Sequence, residues 1–545
     1  SVAWRMSRQR DTKIPCPCLH LNSRRQCLFR LVELPLFILE ANADSKSLSD
    51  RVWKHRWTLD QIATTKLSAD TLRLLPVVRQ IREQLCDAER MRKRAMLLHK
   101  TSQRGIVTHQ HSARTKEKKD AVKKPKGTVK ALDGVFMFVL YDEINDIMYA
   151  GRDPVGVRPG FISLNGDQVF ISSEAKSLIG IAENSMPFPP GSWWSSKDNE
   201  KFNKYFYCKP DIQTTDSNIN ILHNIKNLLT DAVIKRLMSE REIGCLLSGG
   251  LDSSLISSIV AKNYPGDKLN TFSVGIEGSV DLEYAKTVAD FIKSKHHSIQ
   301  ITERDFLDAI EVVIYNIESY DTTTVRASVG NYLVSKYIKE NTDCKVIFNG
   351  DGSDEVCCGY LYLRNAPSSK ELQLESERLV NELYFFDVLR SDRSISSNGL
   401  EARTPFLDKT FVKYYLSIPS ELKVFNSKDR IEKHILRKAF DNGTYLPDDV
   451  LWRRKVAFSD GVSSQKKSWH KIIQNHVDSK ISDEEFFKAK DTISHCTPLL
   501  KESYYYRKVY ESFFPDSEKL IPHFWMPKWS SVIDPSAREL QDYQE

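Results

Sequence analysis

The sequence predicts an α/β protein: a doubly wound parallel-sheet domain preceded by a partial antiparallel α+β segment. Three observations carry that prediction. From about Ile219, short apolar runs alternate with helical patterns, and strands separated by helices imply a parallel sheet. Inside the alternation, Cys245-Leu-Leu-Ser248-Gly249-Gly250-Leu251 passes from strand to helix through two glycines. Ahead of it, Val135–Leu140, Ile147–Ala150 and Val169–Ser172 are apolar runs parted by polar segments, which reads as an antiparallel meander.

At 545 residues, two or three domains are expected. Residues 1–129 show little organisation. Leu67–Leu98 carries Leu, Val and Met at helical spacing, with Pro76 breaking or kinking any single helix. Thr101–Lys130 is polar and Lys-rich and reads as a linker. Cys16-Pro-Cys18 with Cys27, and His109-Gln-His111, lack the paired spacing of a zinc site. The net charge of +7 hides an asymmetry: the first 130 residues hold 29 Lys and Arg against 12 Asp and Glu, and the rest is mildly acidic. A polybasic segment suits nucleic acid or an anionic surface; the plainer reading is a solvated segment, and no nucleic-acid partner is expected.

No run approaches the about 20 apolar residues that span a bilayer. The most apolar early stretch, Cys27–Ala41, is interrupted by Arg30, Glu33, Pro35 and Glu40, so neither a membrane helix nor a signal-peptide core is predicted. Ten scattered cysteines, among them Cys245 and Cys344 beside core strands, fit a reduced cytoplasmic protein and not a disulfide scaffold.

Beyond the meander, Pro187-Phe-Pro-Pro-Gly191 marks a boundary. Ile219–Ser239 then spaces Ile221, Ile225, Leu228, Leu229, Val233, Ile234 and Leu237 as a helix does. Ile243–Leu247 is a buried strand, Leu251–Lys262 a helix, Thr271–Val274 a second strand and Leu282–Lys295 a helix. His297–Ile301 and Val346–Phe348 supply a third and a fourth strand, and mostly helical patterns follow Glu371.

The segment Ser248-Gly249-Gly250-Leu251-Asp252-Ser253-Ser254 carries the clearest chemistry. A strand-to-helix junction aims unpaired N–H groups and the positive helix end at one point. That is an anion cradle, in which glycines admit phosphate close to the backbone and the hydroxyls of Ser253 and Ser254 add donors. Asp252 is a poor neighbour for bare phosphate and a good one for a Mg²⁺ that bridges phosphates. The Walker A spacing is absent. A Gly-Gly turn ahead of an ordinary serine-capped helix is the bland alternative.

This loop resembles the pyrophosphate loop of the ATP-pyrophosphatase superfamily, and six further segments resemble the asparagine synthetase family. They are Ser273-Val-Gly-Ile276, Tyr320-Asp-Thr-Thr-Thr-Val-Arg326-Ala-Ser328, Asn349-Gly350-Asp351-Gly352-Ser353-Asp354-Glu355, Gly359-Tyr360, Leu400-Glu-Ala-Arg403-Thr-Pro-Phe-Leu-Asp408, and Trp452-Arg-Arg-Lys455-Val-Ala-Phe-Ser459-Asp-Gly461. Their order matches the family over residues 206–515. Ile521-Pro-His-Phe-Trp-Met-Pro-Lys-Trp529 and Asp534-Pro-Ser-Ala-Arg538 look like its eukaryotic branch.

The resemblance implies ATP-dependent synthesis of asparagine from aspartate through β-aspartyl-AMP, with ATP and Mg²⁺ required. It implies nucleotide binding by Leu247, Ser248, Gly249, Gly250, Asp252, Ser253, Ser254, Val274, Gly350 and Asp351, and Mg²⁺ on Asp252 and Asp354. Lys455 is expected on the phosphates. Asp351 stands where close relatives carry a glutamate, and a carboxylate there takes the proton that ammonia loses on attack. Arg326, with Thr322, Thr323 and the neighbouring Thr324, is the candidate for aspartate recognition, since a guanidinium pairs well with carboxylate; Tyr360 is expected to wall the site. Arg403 and Asp408 read as a structural turn around Pro405. Cys357-Cys358 replaces the small, glycine-rich turn usual before the tyrosine, which predicts strain wherever φ is positive.

Residues 131–191 resemble the second half of the family's glutaminase domain, an N-terminal-nucleophile type. The resemblance rests on Leu132-Asp-Gly-Val-Phe136, Gly151-Arg-Asp-Pro-Val-Gly-Val-Arg-Pro159, Ser172-Ser-Glu-Ala-Lys-Ser177 and Pro189-Pro-Gly191, with Gly160 in place of a bulky apolar residue. Such a glutaminase needs an N-terminal cysteine whose α-amine serves as base, whereas the chain begins Ser1-Val-Ala-Trp4. Ammonia, not glutamine, is therefore the expected nitrogen source. The expected layout is a basic region over 1–129, solvated or a mis-assembled coding stretch, a glutaminase-like half over 130–205, the synthetase over 206–515 and a tail over 516–545. Expected partners are the small-molecule substrates aspartate, ATP and ammonia or glutamine, with no membrane and with a homodimer allowed. Two competing readings are a β-lactam-forming or other acid-adenylating relative, and a pseudoenzyme or binding protein using the basic arm.

Overall fold

The computed structural model describes residues 125–142, 144–166, 168–198, 201–425, 430–456, 461–463 and 468–536. The helical pattern over Leu67–Leu98, the two Cys and His patterns and most of the Lys-rich linker lie outside these residues. The end of that linker departs from expectation. Pro125–Ala131 (α1) is helical, and Val129 is buried in the main core, so one docked apolar residue outweighs the polar composition around it.

The antiparallel part holds β1 (Met137–Asp142), β2 (Ile147–Arg152), β3 (Phe161–Asn165), β4 (Gln168–Ser172), β5 (Met186–Pro187), β6 (Ser192–Ser195) and β7 (Asn203–Lys204). They form two sheets, ordered β1-β2-β6-β7 and β4-β3-β5, with antiparallel pairing throughout. A single three-strand meander was expected, but β4 pairs with β3 instead, Asn165 facing Gln168 across a two-residue loop in which Gly166 takes φ 57°. Tight hairpin loops require that left-handed backbone. Met148, Ala150, Ile162, Ile171, Phe188 and Trp194 pack between the two sheets.

The second part is a parallel sheet of β8 (Glu242–Leu246), β9 (Asn270–Gly275), β10 (Lys295–Gln300), β11 (Cys344–Phe348) and β12 (Glu401–Arg403), ordered β10-β9-β8-β11-β12. Four of these strands were legible in sequence. The fifth is three residues of Glu-Ala-Arg at the sheet edge, too short and polar to announce itself. The covering helices include α2 (Asn218–Ile234), α3 (Leu251–Asn263), α4 (Val280–Phe291), α5 (Glu303–Ile317), α6 (Thr322–Asn341), α7 (Ser353–Val356), α8 (Ser369–Glu382) and α9 (Asp387–Ser396). α5 shows why such segments are helical: Thr302 and Asp305 close a capping box, and Phe306, Ile310, Val313, Ile314 and Ile317 line its buried stripe.

Strand order reverses between β8 and β11, so the loops leaving these two neighbours diverge and open a crevice. In open α/β sheets that switch point is where ligands bind. The antiparallel part is fastened to α9 by ion pairs. Arg158 meets Asp392 at 2.7 Å, both buried, and Arg393 meets the half-buried Glu174 at 3.0 Å.

Candidate active site

The loop after β8 turns at Gly249, φ 75°, where a Cβ would lie 2.5 Å from the Ala285 nitrogen. Ser253 Oγ accepts from the Ser248 N–H at 3.1 Å and lies 2.9 Å from Ser248 Oγ, which fixes the turn. Gly350, after β11, approaches so closely that its Cβ would sit 2.8 Å from Asp252 backbone. A cleft with about 1120 Å³ of open space lies between these loops. Leu247, Ser248, Gly250, Asp252, Ser253, Val274, Gly350, Asp351, Asp354 and Lys455 all line it. Ser254 does not; its side chain is fully buried on the inner face of α3. The expected donor role for its hydroxyl is thus corrected, because one residue along a helix turns the side chain through about 100°.

Asp252 and Asp354 converge on one cation. Lys433 Nζ lies 2.7 Å from both Asp252 oxygens and 2.5 Å from Asp354, while Lys455 Nζ approaches the other Asp354 oxygen at 2.5 Å. Ser353 Oγ donates to Asp252 at 2.8 Å. Burial alone would raise Asp354, but the two ammoniums outweigh it and hold the carboxyl well below its ordinary range. The same carboxylates raise both lysines against their burial. Lys433 was invisible to sequence reasoning, since no motif marks it. The geometry that admits it was legible only as Gly359, where a Cβ would stand 2.0 Å from Lys433 Cε.

The two carboxylates fit a Mg²⁺. They already share a positive charge, and Mg²⁺ is usually held by one or two carboxylates plus waters and substrate phosphates. Among the described residues, no cluster of three or more His, Cys, Asp and Glu offers a self-sufficient metal cage, so the nucleotide would complete the coordination.

Asp351 stands at the cleft wall with Oδ1 3.4 Å from Arg390 Nη2, and Arg390 also pairs tightly with Asp387. Burial, aided by Asp387 and opposed by Arg390, pushes Asp351 up to about 6. Arg390 and Asp387 come from α9, more than thirty residues on, and sequence reasoning missed both. Arg453, also missed, donates to the Gly249 carbonyl at 3.0 Å and to Asp281 at 2.9 Å, locking the loop to α4.

A second chamber adjoins the cleft and shares Asp354, Glu355, Asp387, Arg390 and Lys455 with it. Thr323, Thr324, Ala327, Tyr360 and Trp525 complete much of its lining. Thr323 Oγ1 is buried there without a partner, whereas Thr324 Oγ1 donates to Asp321 at 2.7 Å. Tyr360 donates to Glu355 at 2.6 Å. Thr322 is buried outside both linings. Arg326 is the main correction: it is buried and gripped by Glu502 at 2.6 Å and Asp534 at 2.7 Å, so it is spent on protein carboxylates and does not reach the chamber. Arg403 and Asp408 are structural, as expected. Arg403 donates to the Met238 carbonyl at 2.6 Å, and Asp408 caps the helix Lys409–Ser417 while pairing with Arg236.

The double cysteine does include one residue with positive φ, where strain was expected. Both thiols are buried, and Cys358 takes φ 56°, a conformation costing about 1–2 kcal/mol with a Cβ. Packing against Tyr362, Leu363, Leu372 and Phe425 holds it there. The cysteines among the described residues are free, and among those residues no helix is long and apolar enough to cross a membrane.

The chain is similar to known proteins over most of its length. The family model described as asparagine synthase matches residues 224–381 and 366–540, and that described as a glutamine amidotransferase domain matches 121–239. "Asparagine synthetase [glutamine-hydrolyzing]" of Cricetulus griseus is 43% identical over 455 residues, covering 76% of this chain and 79% of that protein. The Homo sapiens protein of the same name is 44% identical over the same shares. With a matching family model over more than half its length and relatives of this similarity, the chain belongs to the asparagine synthetase family.

Proposed function

We propose that the cleft and its side chamber adenylate the β-carboxylate of aspartate and pass the product to ammonia. The overall activity is ATP-dependent asparagine synthesis; the assignment of steps to residues is our reading. One observation carries it: the nucleotide cleft and the second chamber share Asp354, Lys455 and Arg390. An acid held in that chamber has its carboxylate beside the phosphates.

In this reading the turn of residues 248–250, through the Gly249 N–H, and the Ser248 and Ser253 hydroxyls bind the β- and γ-phosphates. Leu247, Val274 and Gly350 bear on the adenosine. Asp252 and Asp354 would hold a Mg²⁺, which neutralises phosphate charge when bound. Lys455 stabilises charge as the aspartate oxygen bonds to the α-phosphorus and pyrophosphate leaves. Thr323 and Tyr360 hold the acid. The ammonia nitrogen then bonds to the acyl carbon, AMP departs, and Asp351 takes the proton. Residues 206–515 would carry this chemistry, with Trp525 from the segment that follows lining the chamber.

Ammonia is the proposed nitrogen source. The glutaminase-like stretch from 125 to 207 contains no cysteine. Cys208, just beyond it, is buried with its thiol pushed up to about 12, and the thiolate is the nucleophilic form. The test is pyrophosphate release from Mg-ATP and aspartate, with ammonium and with glutamine in separate runs. Release and asparagine formation with ammonium alone support the reading. Equal rates with glutamine overturn the nitrogen assignment, and no aspartate-dependent release overturns the site assignment. In Lys455→Met, release with ammonium should fall by about 100- to 1000-fold.

A further inference from the structure

The segment 521–536 crosses the N-terminal end of α6 and closes the second chamber from outside. Trp525 is its contribution to the lining. The Trp525 backbone N–H donates to Asp321 Oδ1 at 2.8 Å, and the other Asp321 oxygen caps α6 through the Thr324 backbone N–H at 2.9 Å. The indole lies 5.3 Å, centroid to centroid, from the ring of Tyr360. Further along the segment, Asp534 takes both terminal nitrogens of Arg326, at 2.7 and 3.0 Å. Gln474 Nε2 and the Ser536 N–H also donate to Asp534, at 2.7 and 2.8 Å. The remaining side of Arg326 is held by Glu502 at 2.8 and 2.6 Å.

Both fixings of this strap thus reach α6, the helix whose Thr323 and Ala327 face the chamber. A buried ion pair is weak evidence for stability, and α6 already packs through Val325 and Val329. What the cluster does supply is register: a guanidinium gripping two carboxylates tolerates little displacement of either.

We propose that the Arg326–Asp534 pair anchors the strap so that Trp525 forms the outer wall of the acid-substrate chamber. Trp525 then sets the size of acid admitted, and Asp534 is a positioning residue acting through it. The inference rests on the reading that this chamber holds aspartate.

The test measures ammonium-supported pyrophosphate release by the full chain, with aspartate, glutamate and ATP varied in turn. Aspartate-dependent release by the unmodified protein checks the underlying reading first, and its failure sinks that reading independently of the strap. Trp525→Ala should raise KM for aspartate about tenfold, equivalent to about 1.4 kcal/mol, and leave KM for ATP within about twofold. Its preference for aspartate over glutamate, as the ratio of kcat/KM, should fall about tenfold, since one methylene is discriminated by about 10- to 200-fold in a fitted pocket. Trp525→Phe should restore most of both. Asp534→Asn should raise KM for aspartate about three- to fivefold, and the double variant should be no worse than Trp525→Ala, as coupled residues are non-additive. An unchanged aspartate KM and selectivity in Trp525→Ala, or additive effects in the double variant, overturns the proposal. If Asp534→Asn does not fold, the Trp525 variants alone decide it.

Discussion

Asp351 concentrates the chain's individuality in one side chain. It is a buried carboxylate in the cleft wall, raised to about 6 by burial and Asp387 against the pull of Arg390. A base must be ionised to take a proton, so the rate per concentration of free ammonia should hold above pH 6 and fall as pH drops through it. A profile of that rate from pH 5 to 8 checks the assignment, and a flat profile refutes it. Asp351→Asn should lose about 100-fold or more, the usual worth of a positioned base. Asp351→Glu lengthens the reach by one methylene and should gain about tenfold, because misplacement of about 1 Å costs heavily in alignment. Lys433 makes the complementary argument. It neutralises Asp252 and Asp354 from a fully buried position, and Lys433→Met leaves Asp252 without a cation beside an Asp354 that keeps Lys455 alone. The expected loss of stability in urea is about 3–5 kcal/mol, partly recovered by adding Mg²⁺.

At the scale of elements, the strand–loop–helix unit from β8 into α3 shows how far local sequence reaches. Ser-Gly-Gly at a strand end dictated its own turn, and Gly249 does take φ 75°. Gly249→Ala should weaken ATP binding at least tenfold and cost about 1–3 kcal/mol, because the added carbon meets Tyr284 and the Ala285 nitrogen at 2.5 Å. Isothermal titration with ATP and the thermal midpoint together check it. Helix α6 shows where local sequence stops. Thr323, Ala327, Asn331 and Val334 line the two cavities, a helical stripe at spacings of four, four and three. Arg326 lies off that stripe, and its partners Glu502 and Asp534 are 176 and 208 residues away in sequence. A motif fixes a residue's presence but not its phase against distant carboxylates, so Arg326 was assigned to the substrate. Arg390, Asp387 and Lys433 were missed for the same reason, as each reaches the cleft from an element without a phosphate-loop signature. The place of Asp252, Asp354, Gly350 and Lys455 in the cleft lining was legible because they sit beside glycines or inside ordered motifs.

On the scale of the whole molecule, the antiparallel part is docked on the helices of the parallel-sheet part. Arg152 spends its guanidinium on the carbonyls of Arg158, Phe188 and Gly156, at 2.6–2.8 Å, and so ties its own loops together. Arg158 then reaches Asp392 on α9, the helix that also carries Asp387 and Arg390 to the cleft. A contact between the halves therefore lies about one turn from residues of the active site, and disturbing it should be felt there. Arg158→Ala leaves Asp392 buried without its cation, which should cost about 3–5 kcal/mol, whereas Arg158→Met with Asp392→Leu replaces the pair by packed apolar groups and should recover most of that loss. Urea unfolding measures the stability of each. If α9 is positioned by this contact, Arg158→Ala should also lower ammonium-supported kcat at temperatures where it remains folded, and the double variant should bring kcat back with the stability. A loss of stability without any change in kcat would mean that the docked half holds the fold together but leaves the geometry of Asp387 and Arg390 to the parallel sheet alone.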